Sequence, residues 1–185
     1  MAFDAYLQID GIKGESTDSE HKDWIEVLSF SPATPQPASA QPASVAVAAT
    51  HTRTTHQDYS IVKYIDKASP KLYEAVSTGK HIPKVVVELM RASGGSPVKY
   101  LEIKMTDVII SNVSSAGRGG QAPPAHPSPP ILQNLAKPVA SPLLTESVSF
   151  NYGSIQWTYT QQKRSDGSGG GNVAGGWNLS KGASA

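Results

Sequence analysis

The sequence predicts an all-β fold, a sandwich or barrel of about six to eight antiparallel strands, with one short flanking helix. Three observations lead to this prediction. Residues 2–9, "AFDAYLQI", alternate apolar and polar side chains with the period of two that is typical of a half-buried strand. Residues 85–92 form a nearly continuous apolar run rich in β-branched side chains. Only one segment, 70–78, carries helix start and stop signals.

The other strand-like segments follow the chain order. Residues 24–31 alternate apolar and polar side chains less cleanly than residues 2–9. A Gly-Gly hairpin is predicted at 93–97. Residues 98–113 are long enough for one bent strand or two strands. Residues 145–162 are predicted to form a last hairpin, with its corner at Asn151 to Ser154.

The predicted helix has a signal at each end. Ser69 is a good N-cap, Pro70 suits the first helical position, and Gly79 suits a left-handed C-terminal stop. One narrow apolar face, with i, i+3 and i+4 spacing, is formed by Leu72, Ala75 and Val76. We therefore expect the helix to cover an open end or edge of the barrel.

Prolines and glycines divide the chain. Four of the 14 prolines lie in an extended loop at 31–50, and seven lie in a proline-rich insert at 115–142. Seven of the 16 glycines follow Arg164, which predicts a flexible tail at 164–185 with Trp177 as its one apolar anchor. We expect a single domain at 1–163.

Composition excludes several classes of protein. A formal net charge of +1 and 17% charged residues show no bias toward nucleic acid or an anionic membrane. The absence of cysteine excludes disulfides and thiolate chemistry. The N-terminal residues do not resemble a signal peptide, and no apolar run has the length of a membrane span. We expect a chain that begins in the cytoplasm and does not insert into membranes.

No motif indicates catalysis. The five histidines lack the spacing of a metal site, and they are interpreted as solvated or structural. Ser154 follows a glycine but has no nucleophile elbow around it. No phosphate-binding loop is present. Carboxylates such as Glu26, Glu88 and Glu102 are interpreted as exposed strand charges. We predict no catalytic, cofactor-binding or metal residues, no cofactor and no enzymatic activity.

Several longer segments together resemble one family. They are the start "AFDAYLQIDGIKGEST", then "IEVLSFS", "VKYIDKASPKLYEAVSTGKHIPKVVVEL", "YLEIKMTDVIISNVSS", "LTESVSFNYGSIQWTYTQQK" and "DGSGGGNVAGGWNL". The chain resembles the haemolysin-coregulated protein (Hcp) family, the tube subunits of bacterial type VI secretion. The resemblance covers most of its length.

The resemblance implies a structural role. Family members are small β-barrels that close into homohexameric rings, and the rings stack into a hollow tube that a contractile sheath expels. The implied partners are other copies of the chain, the sheath and spike proteins, and effector proteins in the lumen. The implied location is the cytoplasm before firing and the outside of the cell afterwards, without a cleaved signal peptide.

The resemblance also suggests residues for three contacts. A ring-stacking contact in the extended loop would involve Pro35, Gln36, Pro37 and Gln41. A lumen or cargo contact would involve Ser31 and, on the helix, Lys71, Glu74 and Ser77. A subunit interface would involve Lys99, Tyr100, Glu102, Gln156, Trp157 and Tyr159. A floppy solvent loop and ordinary solvated faces explain the first and third sets equally well.

One departure from the family pattern leaves an alternative open. Most members turn tightly where this chain carries the insert at 115–142, which includes the apolar residues Ile131, Leu132 and Leu135. If the insert prevents stacking, the chain would be a specialised Hcp-like effector or carrier ring that does not polymerise. A small-molecule-binding or hydrolytic barrel is a third alternative, but it would need convergent polar groups in a pocket.

Overall fold

The structure is a computed structural model that describes residues 3–31, 56–91, 97–116, 144–162 and 169–184. Within these ranges the chain forms one helix and nine strands, and the strands pair antiparallel in one sheet. The elements are β1 (Phe3–Ile9), β2 (Ile25–Glu26), β3 (Ser29–Ser31), β4 (Tyr59–Tyr64), α1 (Ser69–Thr78), β5 (His81–Arg91), β6 (Val98–Ala116), β7 (Thr145–Gln162), β8 (Gly169–Asn178) and β9 (Ala183–Ser184).

A short segment closes the sheet into a barrel. The strand order β2-β1-β5-β6-β7-β4-β3 puts β2 and β3 at opposite ends, although only two residues separate them in the chain. Of these two, Val27 donates its amide to Ala5 of β1 at 2.9 Å, and Leu28 donates its amide to Val62 of β4 at 2.8 Å. The segment is therefore bonded to both edges of the sheet, which removes them as free edges.

The core fills the barrel with aliphatic and aromatic side chains from every long strand. Alternate residues point inward, as the predicted period of two requires for β1. The fully buried residues of the core include Leu7, Ile25, Ile103, Met105 and Phe150. The expected all-β fold with one short helix is confirmed.

Helix α1 covers part of this core and packs against β6. Its predicted apolar face is correct, since Leu72 and Ala75 are buried and Val76 packs against the core. Gly79 ends the helix in the left-handed region, with φ of 60°, and its amide donates to the carbonyl oxygen of Val76 at 3.3 Å. The C-terminal prediction is therefore confirmed.

The predicted N-cap is wrong. The helix begins at Ser69, and the cap position belongs to Ala68, whose side chain caps nothing. Asp66 forms a turn just before the helix, because its Oδ1 accepts the amide of Ala68 at 2.9 Å. The Ser69 hydroxyl instead donates to Glu146 at 2.6 Å and so faces the barrel interior.

The predicted hairpin at 145–162 is also wrong. These residues form one strand, β7, and Gly153 lies inside it, opposite Asp107 of β6. An ideal Cβ on Gly153 would lie 2.8 Å from the Cβ of Asp107. Asp107 itself has a φ of 53°. The glycine therefore allows the two strands to approach closely and does not form a turn. Residues 98–113 are part of one long strand with a register shift near Ile110, as the bent-strand alternative expected.

The glycine-rich C-terminal segment is ordered where the structure describes it. Residues 169–178 form β8, which pairs with β7, so the expected flexible tail is wrong for these residues. Trp177 packs against the core, as expected of an apolar anchor. The predicted hairpin at 93–97 falls mostly outside the described residues, although β5 and β6 pair as a hairpin requires.

Candidate assembly surface

The outer face of β5, β6 and β7 carries the charged part of the predicted subunit interface. The register places Glu88 of β5 opposite Glu102 of β6, and Lys104 of β6 opposite Gln156 of β7. Their chain neighbours Val87, Ile103 and Ile155 point into the core. These four polar residues therefore lie on the same outer face of the sheet.

Lysines bridge the carboxylates on this face. The ammonium of Lys99 lies 2.9 Å from Glu88 Oε1 and 2.5 Å from Glu102 Oε2, and the ammonium of Lys104 lies 2.7 Å from Glu102 Oε1. Without Lys99, two carboxylates would stand directly opposite each other, which is unfavourable in a sheet. The lysine side chains are 39% and 45% exposed, whereas the glutamates are 14% and 12% exposed. The outermost charges of this face are therefore positive.

Burial and these contacts shift the pKa values of Glu102 and Lys99 in opposite directions. Burial raises the pKa of Glu102, but the hydrogen bonds from Lys104 and Lys99 outweigh it and lower that pKa to about 2. Burial likewise lowers the pKa of Lys99, but the hydrogen bonds to Glu102 and Glu88 outweigh it and keep that pKa above its usual value. Both groups are therefore charged at neutral pH, and the bridge is intact there.

The predicted interface residues divide between the two faces of the sheet. Lys99, Glu102 and Gln156 lie on the outer face described above. Tyr100 and Trp157 instead pack against the core, and the side chain of Arg91 lies over the Tyr100 ring at 5.7 Å. Tyr159 is 46% exposed near the end of β7. The structure thus brings together the polar half of the predicted set, while the aromatic half does not share its face.

The predicted lumen residues are all exposed. Ser31 ends β3. On α1, Lys71 and Glu74 form an ion pair at 2.6 Å, and Ser77 donates its hydroxyl to the carbonyl oxygen of Tyr73. The hydrogen bond from Lys71 is the main reason that the pKa of Glu74 lies below its usual value. The four ring-stacking residues, Pro35, Gln36, Pro37 and Gln41, lie outside the described residues.

A buried ion pair beneath α1 was not predicted. Lys63 of β4 and Glu146 of β7 are both fully buried, face each other in register and lie 2.7 Å apart. The same ammonium lies 2.8 Å from Asp66 and 3.4 Å from the Ser69 hydroxyl. The cluster therefore joins two strands to the first turn of the helix.

The contacts of the buried His21 were not predicted either. His21 is 2% exposed, and it was interpreted only as one of five solvated or structural histidines. Its ring lies 3.0 Å from Glu88, which connects it to the charged outer face. Nothing in the spacing of the sequence indicates this, because Glu88 is 67 residues away.

Comparison with known proteins decides the family. Residues 6–159 match the model of the family described as "Type VI secretion system effector, Hcp". The chain is 40% identical over 179 residues to protein hcp1 of Pseudomonas aeruginosa, covering 97% of this chain and 96% of that protein. The chain belongs to the Hcp family. It is a type VI secretion tube protein, of a kind that is secreted.

Solved structures of Hcp proteins share the fold. A protein described as a type six secretion system protein has a TM-score of 0.82 at 26% identity, with 100% of both chains covered. Hcp1 from Salmonella typhimurium has a TM-score of 0.70 at 27% identity, also with 100% of both chains covered. The family resemblance inferred from the sequence segments is therefore confirmed.

In the ranges that the structure describes, no helix has the length and apolar character needed to cross a membrane. Among the same residues, no three His, Cys, Asp or Glu side chains are grouped so that they would hold a metal ion.

Proposed function

We propose that this protein is a structural subunit of the type VI secretion inner tube. Six copies form a ring, rings stack into a hollow tube, and contraction of a sheath expels the tube with effector proteins in its lumen. The proposed partners are other copies of the chain, the sheath and spike proteins, and the carried effectors. The protein acts in the cytoplasm before firing and outside the cell afterwards, it needs no cleaved signal peptide, and it catalyses no reaction.

The observation that carries this proposal is the family match, which extends over residues 6–159 and continues across nearly the whole length of a 40% identical relative. The barrel is consistent with it. Its long β5–β6–β7 face carries partly exposed lysines and an exposed glutamine, and a cyclic ring requires such a face to meet a different face of the next subunit.

Each predicted contact becomes a proposal for one part of the molecule. The outer-face residues Lys99, Glu102 and Gln156 belong to the subunit interface. The exposed side of α1, with Lys71, Glu74 and Ser77, lines the lumen together with Ser31. The ring-stacking contact belongs to the extended loop at 31–50, and the domain at 1–163 is extended by β8, which pairs with β7, and by β9.

The alternative is an Hcp-like secreted effector or carrier ring that does not polymerise. The insert at 115–142 favours it, because this insert joins β6 to β7 where Ala116 pairs with Thr145 at one end of the longest ladder. In this alternative, the insert prevents one ring from meeting the next.

The test is the solution mass of the purified protein by light scattering, with negative-stain imaging of the same fraction. We expect a mass close to six times the 19.5 kDa of one chain, with open-centred ring particles. Stacks at high concentration support the tube subunit, and rings that never stack support the alternative. A monomer at every concentration contradicts both.

A matched pair of variants locates the interface. Gln156→Arg introduces a bulky charge on the proposed contact face, opposite Lys104, and we expect it to shift the mass toward the monomer. Gln161→Arg makes the same change at an exposed position near the end of the same strand, and we expect it to leave the ring intact. Equal effects of the two variants would remove the outer face from the proposed interface.

A further inference from the structure

His21 is one of several contacts that hold the loop between β1 and β2, residues 10–24, against the barrel. Asp10 also donates its amide to the carbonyl oxygen of Lys84, and Glu15 accepts the amide of Lys67. His21 projects from this loop and is 2% exposed. Its ring stacks on Tyr6 of β1 with centroids 4.2 Å apart and planes 7° apart, and the edge of Trp24 meets it at 4.9 Å. Beside it lies Met90, which is 3% exposed but faces outward from β5. The docked loop therefore covers apolar surface on the outside of the barrel.

Both ring nitrogens of His21 contact carboxylates. Nδ1 lies 2.8 Å from Asp18 Oδ1, and Nε2 lies 3.0 Å from Glu88 Oε2. A carboxylate only accepts hydrogen bonds, and a neutral imidazole has only one N–H to donate. The arrangement is fully satisfied only when both nitrogens carry hydrogen, so that a cation stands between two anions.

Carboxylates surround the His21 ring. The hydrogen bond from His21 is the main reason that the pKa of Asp18 lies below its usual value. Burial raises the pKa of Tyr6, and nearby carboxylates raise it further, so this ring stays neutral. The charged groups around the site are mostly acidic: Asp18 and Glu20 in the loop, Asp4 on β1, Glu26 on β2, Glu88 on β5, and Lys99 and Glu102 on β6.

The same contacts continue to the proposed subunit interface. Glu88 uses one oxygen for His21 and the other for Lys99, which in turn bridges to Glu102. The position of Glu88 thus depends on two cations, one from the loop and one from the contact face. If His21 no longer donates, Glu88 loses the partner that holds it toward the loop.

We propose that His21 is a positioning residue: with hydrogen on both ring nitrogens, it docks the 10–24 loop and fixes Glu88 and Lys99 on the face that meets the next subunit. The docking part stands on the geometry alone. The effect on assembly rests on the proposed ring function.

Amide hydrogen exchange measures docking directly. The loop holds internal backbone bonds, from Gly14 to Asp23 at 2.8 Å and from Ser16 to Trp24 at 2.9 Å, and exchange of these two amides reports its opening. In His21→Phe the ring remains but both donors are lost, and we expect protection of these amides to fall by roughly tenfold or more. NMR of the unsubstituted protein should detect hydrogen on both nitrogens of His21.

Glu88→Gln is the matched variant. Its side-chain amide can donate to a neutral His21, which then donates only to Asp18, while the amide oxygen still accepts from Lys99. We expect this variant to keep its loop protection, because the Gln side chain still bonds to the His21 ring. The variant also avoids the risk that His21→Phe simply misfolds.

The outcomes separate this inference from the ring proposal. An undiminished protection in His21→Phe, a single hydrogen on the His21 ring, or a loss of protection in Glu88→Gln as large as that in His21→Phe overturns the docking role. If docking behaves as expected while the mass of His21→Phe by light scattering stays that of a ring, the coupling to assembly is overturned and the ring proposal stands. An unsubstituted protein that is monomeric contradicts the ring proposal and the coupling, and leaves docking to be judged by exchange alone.

Discussion

Two lysine–glutamate clusters in this barrel use the same chemistry in opposite surroundings. The cluster beneath α1 is centred on the fully buried Lys63 and Glu146, and its Lys63 ammonium contacts Glu146, Asp66, the Ser69 hydroxyl and the carbonyl oxygen of Tyr64. The cluster on the outer face is partly exposed, and its Lys99 ammonium contacts only two carboxylates. In the first, Asp66 is the carboxylate that reaches solvent, with 11% of its side chain exposed, whereas the second has solvent on one side.

The difference shows what each cluster can do. A charge without water needs a partner, and Lys63 pairs with Glu146 through one carboxylate oxygen while the other has no hydrogen-bond partner among the described residues. The inner cluster thereby joins β4, β7 and the start of α1. Water screens the outer cluster, so its members contribute less to stability but remain available to a partner. The inner cluster therefore specifies the fold, and the outer one is suited to assembly.

The largest expected effect comes from breaking the inner pair. Lys63→Met leaves Glu146 buried without its cation, and we expect a loss of about 3–5 kcal/mol in the free energy of unfolding, measured by urea denaturation. The double variant Lys63→Met with Glu146→Leu removes both charges, and it should recover most of the loss. A double variant as unstable as the single one would show that the loss in the free energy of unfolding comes from packing at residue 63 and not from charge.

A smaller effect is expected from the outer pair. Lys99→Met leaves Glu88 and Glu102 facing each other, and we expect a loss of about 0.5–1 kcal/mol. Added salt should reduce this loss, because exposed charges are screened, whereas the loss in Lys63→Met should be insensitive to salt. Urea denaturation of both variants at low and high salt checks this, and equal salt dependence would contradict the distinction between the two clusters.

The effect of Glu102→Gln depends on pH. The pKa of Glu102 in the folded protein is about 2, below its usual 4.5, so its ionised form stabilises the fold above pH 4.5. This contribution is lost as pH falls from about 4.5 toward 2. The variant should therefore show a shallower acid loss of stability across that window, measured by the urea midpoint at each pH. A variant that keeps the slope of the unsubstituted protein would contradict this role of Glu102.

The sequence predicted the fold class because most inward positions are apolar. It missed β4 because Lys63 occupies an inward position of that strand and interrupts the alternation of Tyr59 and Ile61. It also misinterpreted Gly153, since a glycine between polar residues is typical of a turn. Here the glycine is needed because Asp107, far away in sequence, comes close to it.

Predictions about sites were limited by the same long-range pairing. Charged residues on β6 were correctly recognised as lying on a polar face, but Trp157 and Tyr100 were grouped with them, although both pack against the core. The partners of Lys63 and His21 are 83 and 67 residues away. Local spacing cannot indicate such partners, and only the strand register brings them together.

The short segment that closes the barrel is where we expect the sheet to separate first under force. Ile25–Glu26 pairs with β1 over two residues, and Ser29–Ser31 pairs with β4 over three, whereas β6 and β7 are joined from Leu101 to Ala116. Under a pulling force, the short ladders bear load over fewer hydrogen bonds and part first. A subunit under such a force would therefore open between these short ladders, with its longest ladder still intact.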